Sequence, residues 1–303
     1  MALELIKEVL KGAKTRPLLC LEVNPPRGTG VEEVLGRLAG QTDGIDFFNV
    51  TDCALAKMRL AAIPFASILK SRFGIEPLVN LSCRDRNLIA IQADLLGGWA
   101  LGVRSVIALT GDAVTIGDAP ERKGVFEVNS IGLLSAITTL NEGRDLVGNP
   151  LVGAPDYFPG VVVNPNARNR GAELKRLKRK FEAGGKYALS QPVFDEVSSV
   201  EFFKEAQSIG IPIFAGLMPL KSGRSVAGLA KVPGVKVSAA IEALVSADPE
   251  RDLADFSVHH CLHLAELNAP YVAGFHVVSG ATPKLALRLA SELAAFVKSR
   301  STP

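Results

Sequence analysis

The chain has 303 residues, 48% of them hydrophobic and 21% charged, an ordinary globular composition able to bury a large core. Its formal charge of +3 gives no reason to expect a nucleic-acid partner and leaves room for a small anionic ligand. Cys20, Cys53, Cys83 and Cys261 lack C-x-x-C spacing, which predicts a reduced, intracellular protein without zinc.

The N-terminal "MALELIKEVLKGAKTRP" predicts an amphipathic helix with charges throughout, unlike the apolar centre of a signal peptide. No run approaches the ~18–20 uncharged residues of a membrane span, so a cytoplasmic location is expected. Short apolar runs then alternate with longer helical patterns. The predicted strands are "LLCLEV", "DFFNVT", "EPLVNLSC", "SVIALTGD", "GVVVNP", "YALSQPVF", "IPIFAGLMP" and "YVAGFHVVSG". Between them the 3.6-residue period predicts helices such as "VEEVLGRLAG", "NLIAIQADLLGGWALG" and "AELKRLKRKFEAGG". Two more are expected around residues 238–268, and "PKLALRLASELAAFVKS" closes the chain. Residues 113–125 and 143–160, rich in Gly and Pro, read as loops.

Continuous apolar strands alternating with helices predict parallel strands covered by helices. Eight such units fit a single-domain (β/α)8 TIM barrel over residues 1–303. The rival is an open doubly wound sheet, disfavoured because no G-x-G-x-x-G follows the first strand. A barrel carries its site at the C-terminal strand ends. Those ends offer Glu22 and Asn24, then Asn49, Thr51 and Asp52, then Asn80, Ser82, Arg84 and Asp85. Thr110, Asp112, Asn164, Asn166, Ser190, Gln191, Lys221, His276 and Ser279 follow.

Glu22 alternates with Leu21 and Val23, so it points into the barrel mouth or toward the helices. Among apolar helices an unpaired carboxylate would cost several kcal/mol. A wet mouth is the less costly place, where a raised pKa would suit a general acid. A structural ion pair with a barrel Arg or Lys remains an equal reading.

Five segments together resemble methylenetetrahydrofolate reductase, a flavin-dependent (β/α)8 barrel. They are "LEVNPPRG" at 21–28, "VNLSCRDRN" at 79–87, "IALTGD" at 107–112, "LKRKFEAGGKYALSQPVFD" at 177–195 and "GLMPL" at 216–220. The wording of "LSCRDRN" is most similar to the branch found in acetogens and in reductases fused to methyltransferases. The resemblance implies reduction of 5,10-methylenetetrahydrofolate to 5-methyltetrahydrofolate on FAD or FMN, with NAD(P)H as a hydride donor. It implies Glu22 as the acid toward folate, Asp112 between flavin and pterin, and Gln191 as the residue that holds folate. It further implies flavin contacts for Thr51, Asn80, Leu109, Thr110 and Gly111 and for Phe126, Asn164 and Asn166. Arg179 and Lys180 match basic residues near the flavin's phosphate-bearing tail. A proton from Glu22 would open the methylene bridge to an iminium, and Asp112 would stabilise the developing cation.

Simpler readings stand beside these roles. Asp112 after Gly111 also suits a turn or cap, and Gln191 an ordinary polar mouth residue. In "ELKRLKRKF", Leu174, Leu177 and Phe181 share one helical face, and the five basic residues are expected on the solvated remainder. Cys20, Cys53 and Cys83 are expected to pack the barrel, and His259, His260 and His263 to serve surface or core packing without an acidic partner.

The chain departs from the family at several positions. Asn80 and Asn164 replace histidines, Phe126 replaces a tyrosine, Leu229 stands where some members have a phenylalanine over the bound ligand, and "VVSGATP" lacks an arginine. These departures leave open the flavin's identity, the binding of the folate tail and direct use of NAD(P)H. The rivals are a catalytic subunit fed by an electron-transfer partner within an oligomer or complex, a flavin-free pterin-binding methyltransferase barrel, and a Schiff-base lyase using Lys221.

Overall fold

Eight runs rich in Val, Ile, Leu and Phe become eight parallel strands because helices cover one face and the barrel interior covers the other. The computed structural model describes Glu4, Lys7, residues 16–229 and residues 234–300. The predicted N-terminal helix lies outside the described residues apart from Glu4 and Lys7. The strands are β1 (Leu18–Val23), β2 (Phe47–Val50), β3 (Glu76–Ser82), β4 (Ser105–Leu109), β5 (Gly160–Val163), β6 (Tyr187–Pro192), β7 (Ile213–Leu217) and β8 (Gly274–Val277). They close as a barrel in chain order, β8 pairing with β1. The open doubly wound sheet is thereby excluded.

The helices among the described residues are α1 (Val31–Leu38), α2 (Ala62–Phe73), α3 (Leu88–Ala100), α4 (Ser130–Asn141), α5 (Arg170–Glu182) and α6 (Glu196–Ala206). After β7 come α7 (Gly223–Leu229), α8 (Ala239–Ala247) and α9 (Ala254–Asn268), and α10 (Pro283–Ser299) follows β8. Asn87, Asn129, Asn169 and Asp195 start α3 to α6, each side chain accepting a hydrogen bond from an otherwise unpaired backbone N–H. No described helix is long and apolar enough to cross a membrane.

The two-residue period of each strand separates two cores. Leu19, Leu21, Phe48, Val50, Val79 and Val106 face the helices. Leu18, Cys20, Phe47, Leu78, Ile107, Tyr187, Leu189 and Phe214 fill the barrel interior. Each such fully buried side chain contributes about 1.5–3 kcal/mol. Gly160 admits the Tyr187 ring, which a Cβ there would strike. Tyr187 bonds its hydroxyl to Ser105 Oγ at 2.7 Å, plugging the lower barrel. The interior set continues upward along β1 to Glu22, because Leu18, Cys20 and Glu22 share one face.

Cys20 lies in the interior core and Cys83 in the helix-facing core, so these thiols pack on opposite sides of the sheet. Two expectations need correction. Lys180 is buried rather than solvated, because it lies three residues after Leu177 and falls on the same helical face. Its ammonium donates to the Val162 carbonyl at 2.6 Å. Lys175, Arg176, Lys178 and Arg179 do form the exposed face. His263 has an acidic neighbour after all, with Nε2 3.5 Å from Glu196 Oε2 on α6.

Candidate active site

Glu22 is the penultimate residue of β1, on the face that turns into the mouth. Four donors converge on Oε1: Ser279 Oγ at 2.9 Å, Gly280 N–H at 3.1 Å, Ser279 N–H at 3.2 Å and Asn24 Nδ2 at 3.3 Å. All four are neutral, so the ion-pair reading of Glu22 finds no cation here. Oε2 carries no hydrogen bond among the described residues. Burial raises the Glu22 pKa, and the bonds from Ser279, Gly280 and Asn24 partly oppose it. One oxygen is thus fixed by four donors while the other is left without a partner among the described residues.

The polar network continues round the rim. Asn24 Nδ2 donates to Ser279 Oγ at 3.0 Å, and its Oδ1 accepts from Thr51 Oγ1 at 2.7 Å. Asn49 Nδ2 donates to Asn80 Oδ1 at 2.8 Å and to the Leu78 carbonyl at 3.1 Å. Glu22, Thr51 and Asn80 therefore belong to one arc from β8 to β3. Gln191 shares the interior face of β6 with Tyr187 and Leu189.

Asp112 follows β4 and is exposed. Its Oδ2 accepts the Leu55 N–H at 2.7 Å, tying the loop after β4 to the loop after β2. That second loop holds Cys53, Leu55 and Ala56 at positive φ of 46°, 57° and 53°. Such conformations cost about 1–3 kcal/mol each and persist only where surrounding contacts enforce them. Asp118 reinforces the clamp: its N–H donates to the Ala56 carbonyl at 3.1 Å and its Oδ2 accepts from Met58 N–H at 2.9 Å. The Asp112 bond runs between two loops, 57 residues apart in sequence, and is neither a turn bond nor a helix cap.

Gly111 has φ of 97°, and a Cβ there would collide with Ser82 Oγ and crowd Arg84. Only glycine lets the β4 loop lie so close to the end of β3. Leu109 packs on the interior core, and Thr110 Oγ1 accepts the Ser130 N–H at the start of α4. Phe126 is 39% exposed, and its N–H donates to the Cys83 carbonyl at 3.2 Å, which ties its backbone to the end of β3. Asn164 Oδ1 accepts the Asn166 N–H at 3.0 Å, and Asn166 Nδ2 donates to the Pro192 carbonyl at 2.9 Å. These two amides brace β5 against β6. Arg179 is exposed on α5, whereas burial lowers the Lys180 pKa to about 8.

Sequence reasoning missed several supports. Asp52, placed among mouth residues, instead points behind the rim, where Arg86 Nη1 meets its Oδ2 at 2.6 Å and Arg86 Nε meets Asp94 at 2.7 Å. Arg84 is buried and reaches the Cys53 carbonyl at 3.1 Å. Burial opposes its charge, but Asp85, Asp52 and Asp112 raise its pKa overall. Leu229 is buried with Phe194, Leu220 and Val226 in a satellite core between β6 and α8. His276 lies in the interior beside Cys20 and Gly216, neither ring nitrogen partnered among the described residues. Lys221 is exposed on the rim. No described cluster of His, Cys, Asp and Glu could hold a metal.

The chain is similar to 5,10-methylenetetrahydrofolate reductase of Pectobacterium carotovorum subsp. carotovorum, 25% identical over 238 residues covering 77% of this chain and 74% of that protein. It is 28% identical over 222 residues to the protein of that name from Escherichia coli (strain K12), covering 72% and 70%. Among solved structures, tryptophan synthase from M. tuberculosis superposes with a TM-score of 0.52 at 11% identity, covering 97% of this chain and 99% of that one, a likeness of fold alone. A sequence model described as Methylenetetrahydrofolate reductase matches residues 6–293, so the chain belongs to the methylenetetrahydrofolate reductase family.

Proposed function

We propose that this chain reduces 5,10-methylenetetrahydrofolate to 5-methyltetrahydrofolate with a bound flavin, Glu22 supplying the proton. The observation that carries it is the Glu22 carboxylate, with Oε1 gripped by four neutral donors, Oε2 free, and the pKa raised by burial. A carboxyl group so held can protonate the folate nitrogen that leaves the methylene bridge. Asp112, exposed on the facing loop, supplies negative charge beside the iminium that results. Gln191 offers a donor and an acceptor to the pterin edge.

The mouth also fits a flavin. Phe126, Val125 and Ile116 expose apolar surface on the β4 loop, and Thr51, Asn49 and Asn80 bring polar groups to the ends of β2 and β3. The close turn at Gly111 lets backbone approach a planar ring without a side chain between. A flavin bound there would supply hydride to the iminium carbon. Leu109 to Asp112, Phe126, Asn164 and Asn166 would frame it, and Arg179 would meet its phosphate. Lys180 is seated against β5, so its part is to fix the helix that carries Arg179.

FAD or FMN would each give Arg179 a phosphate ligand, and NAD(P)H or a partner subunit is the source of electrons. The purified protein should be yellow, release FAD or FMN on heating, and reoxidise with methylenetetrahydrofolate after reduction by dye. A protein that binds neither flavin, or whose reduced flavin ignores the folate, would refute the proposal. The flavin-free methyltransferase barrel requires the first of those results.

A further inference from the structure

We propose that the outer face of α3, with the hairpin that follows α4, is the surface through which two copies of this chain associate. A helix on the wall of a barrel is expected to be apolar inward and charged outward. α3 is apolar on both sides. Ile91, Leu95 and Gly98 are its buried residues. Ile89, Ala93, Leu96, Gly97 and Ala100 are exposed, and their spacing puts them on one stripe of the opposite side. The helix has one charged residue, Asp94, which is drawn aside to Arg86 Nε at 2.7 Å.

The hairpin widens this stripe. Arg144 and Pro150 pair antiparallel, and Asp145 Oδ1 accepts from Val147 N–H at 3.0 Å and Asn149 N–H at 2.7 Å. Leu146 N–H donates to Gln92 Oε1 at 2.9 Å, which fastens the hairpin to α3. The turn is held in place, yet Val147 is 83% exposed. At the other end of the helix the Leu101 carbonyl accepts from Ser67 Oγ of α2 at 2.9 Å while its side chain is 48% exposed. With Ile89 at 77% and Leu96 at 37%, the face offers on the order of 600 Å² of apolar surface, the upper end of what a monomer leaves in one patch. A polar rim such as the Arg144–Glu142 pair brings it near the ~800 Å² per partner of a stable interface.

The charge of the face selects a second copy as the occupant. Across a two-fold axis the same patch meets itself, so any net charge on it would be repelled. The stripe has none, although the chain carries +3 overall. A different protein would be selected through complementary charge, which the stripe does not offer. Gly97 adds a second indication. A Cβ there would touch nothing within 4 Å, so no internal packing requires glycine, and glycine weakens a helix interior. Between Ala93 and Ala100 it lets the backbone of another helix approach closely. Because α3 lies on the outer wall, this association leaves the barrel mouth open.

Sedimentation of the full chain as purified tests the proposal. The parent should associate with a dissociation constant of about 1 µM or tighter, as a dimer or a multiple of dimers. Ile89→Lys/Leu96→Lys places two lysines from each copy in the joint and should weaken association at least ~100-fold, so that the variant sediments at half the parent mass. Val197→Lys, an equally bare apolar site on α6, should leave association unchanged. A parent monomeric at about 100 µM, whatever else binds this face, overturns the proposal. So does a double variant that keeps the parent mass, or equal weakening by Val197→Lys. Hydroxyl-radical footprinting of the parent decides the matter should the double variant not fold. Oxidation of Ile89, Leu96 and Leu101 should fall severalfold from dilute to concentrated protein, and unchanged oxidation would overturn the proposal.

Discussion

Replacing Glu22 by Gln isolates the proton from every other property of the site. Four donors point at Oε1, so the glutamine must present its carbonyl oxygen to them and place its NH2 where Oε2 was. Loss of charge weakens bonds to a charged acceptor by about half. It also removes the unfavourable burial that raises the parent pKa. The two effects oppose each other, so unfolding free energy should change by no more than about 1 kcal/mol. Flavin reduction needs no proton on folate and should proceed at near the parent rate.

Reoxidation by methylenetetrahydrofolate should slow by ~10²–10⁴-fold, the usual range for a positioned general acid. In the parent, that half-reaction should fall as pH rises through the elevated Glu22 pKa, because the acid must be protonated; the variant should lose this dependence. Rapid-mixing absorbance of each half-reaction, with denaturant melts of both proteins, reads all of these quantities. Reoxidation at the parent rate, or equal slowing of both halves, would refute the acid role.

Three other substitutions probe the surroundings. Asp112→Asn keeps an acceptor for Leu55 N–H, so the loops should stay in place while folate reduction falls ~10²-fold and the flavin potential rises; turnover and redox titration check this. Burial pushes the His276 pKa down to about 4 against about 6.5 unfolded, so the unfolded chain binds the extra proton. Its contribution to stability is fully present above pH 6.5 and is lost toward pH 4, up to ~3 kcal/mol, and urea melts of His276→Gln should show a shallower acid loss. Arg179→Ala should weaken flavin binding severalfold. Lys180→Met should leave flavin affinity near the parent value while altering stability, as fluorescence titration and melts of each variant would show.

The barrel was legible because every strand is an apolar run flanked by helical patterns, and the interior position of Glu22 followed once alternation was combined with the cost of burying a charge. Asp52 was harder. It is adjacent to Thr51 and equally polar, and only its partner Arg86, 34 residues later, decides that it supports the rim from behind. Three of the four donors to Glu22 lie more than 250 residues downstream, in "VVSGATP", and two of those are backbone N–H groups that no side-chain pattern reports. Lys180 was legible in principle: three residues beyond Leu177, it belongs to the buried stripe, but its charge suggested solvent. Left-handed Cys53, Leu55 and Ala56 left no sign, because none is Gly, Asn or Asp.

That strained loop bears on how two carboxylates at one mouth divide their work. Glu22 is enclosed, held through one oxygen by four neutral groups, and raised in pKa by burial. Asp112 is exposed and held through one oxygen by a single backbone N–H. Enclosure favours the protonated form of Glu22, the setting that the proposed acid role requires. The left-handed residues place Leu55 N–H where Asp112 can bind it, and Asp112 helps to keep them left-handed. The loop cannot relax without releasing the carboxylate, and the carboxylate cannot swing away without losing its donor. Strain at Leu55 and Ala56 thereby helps to fix the Asp112 carboxylate between the two loops.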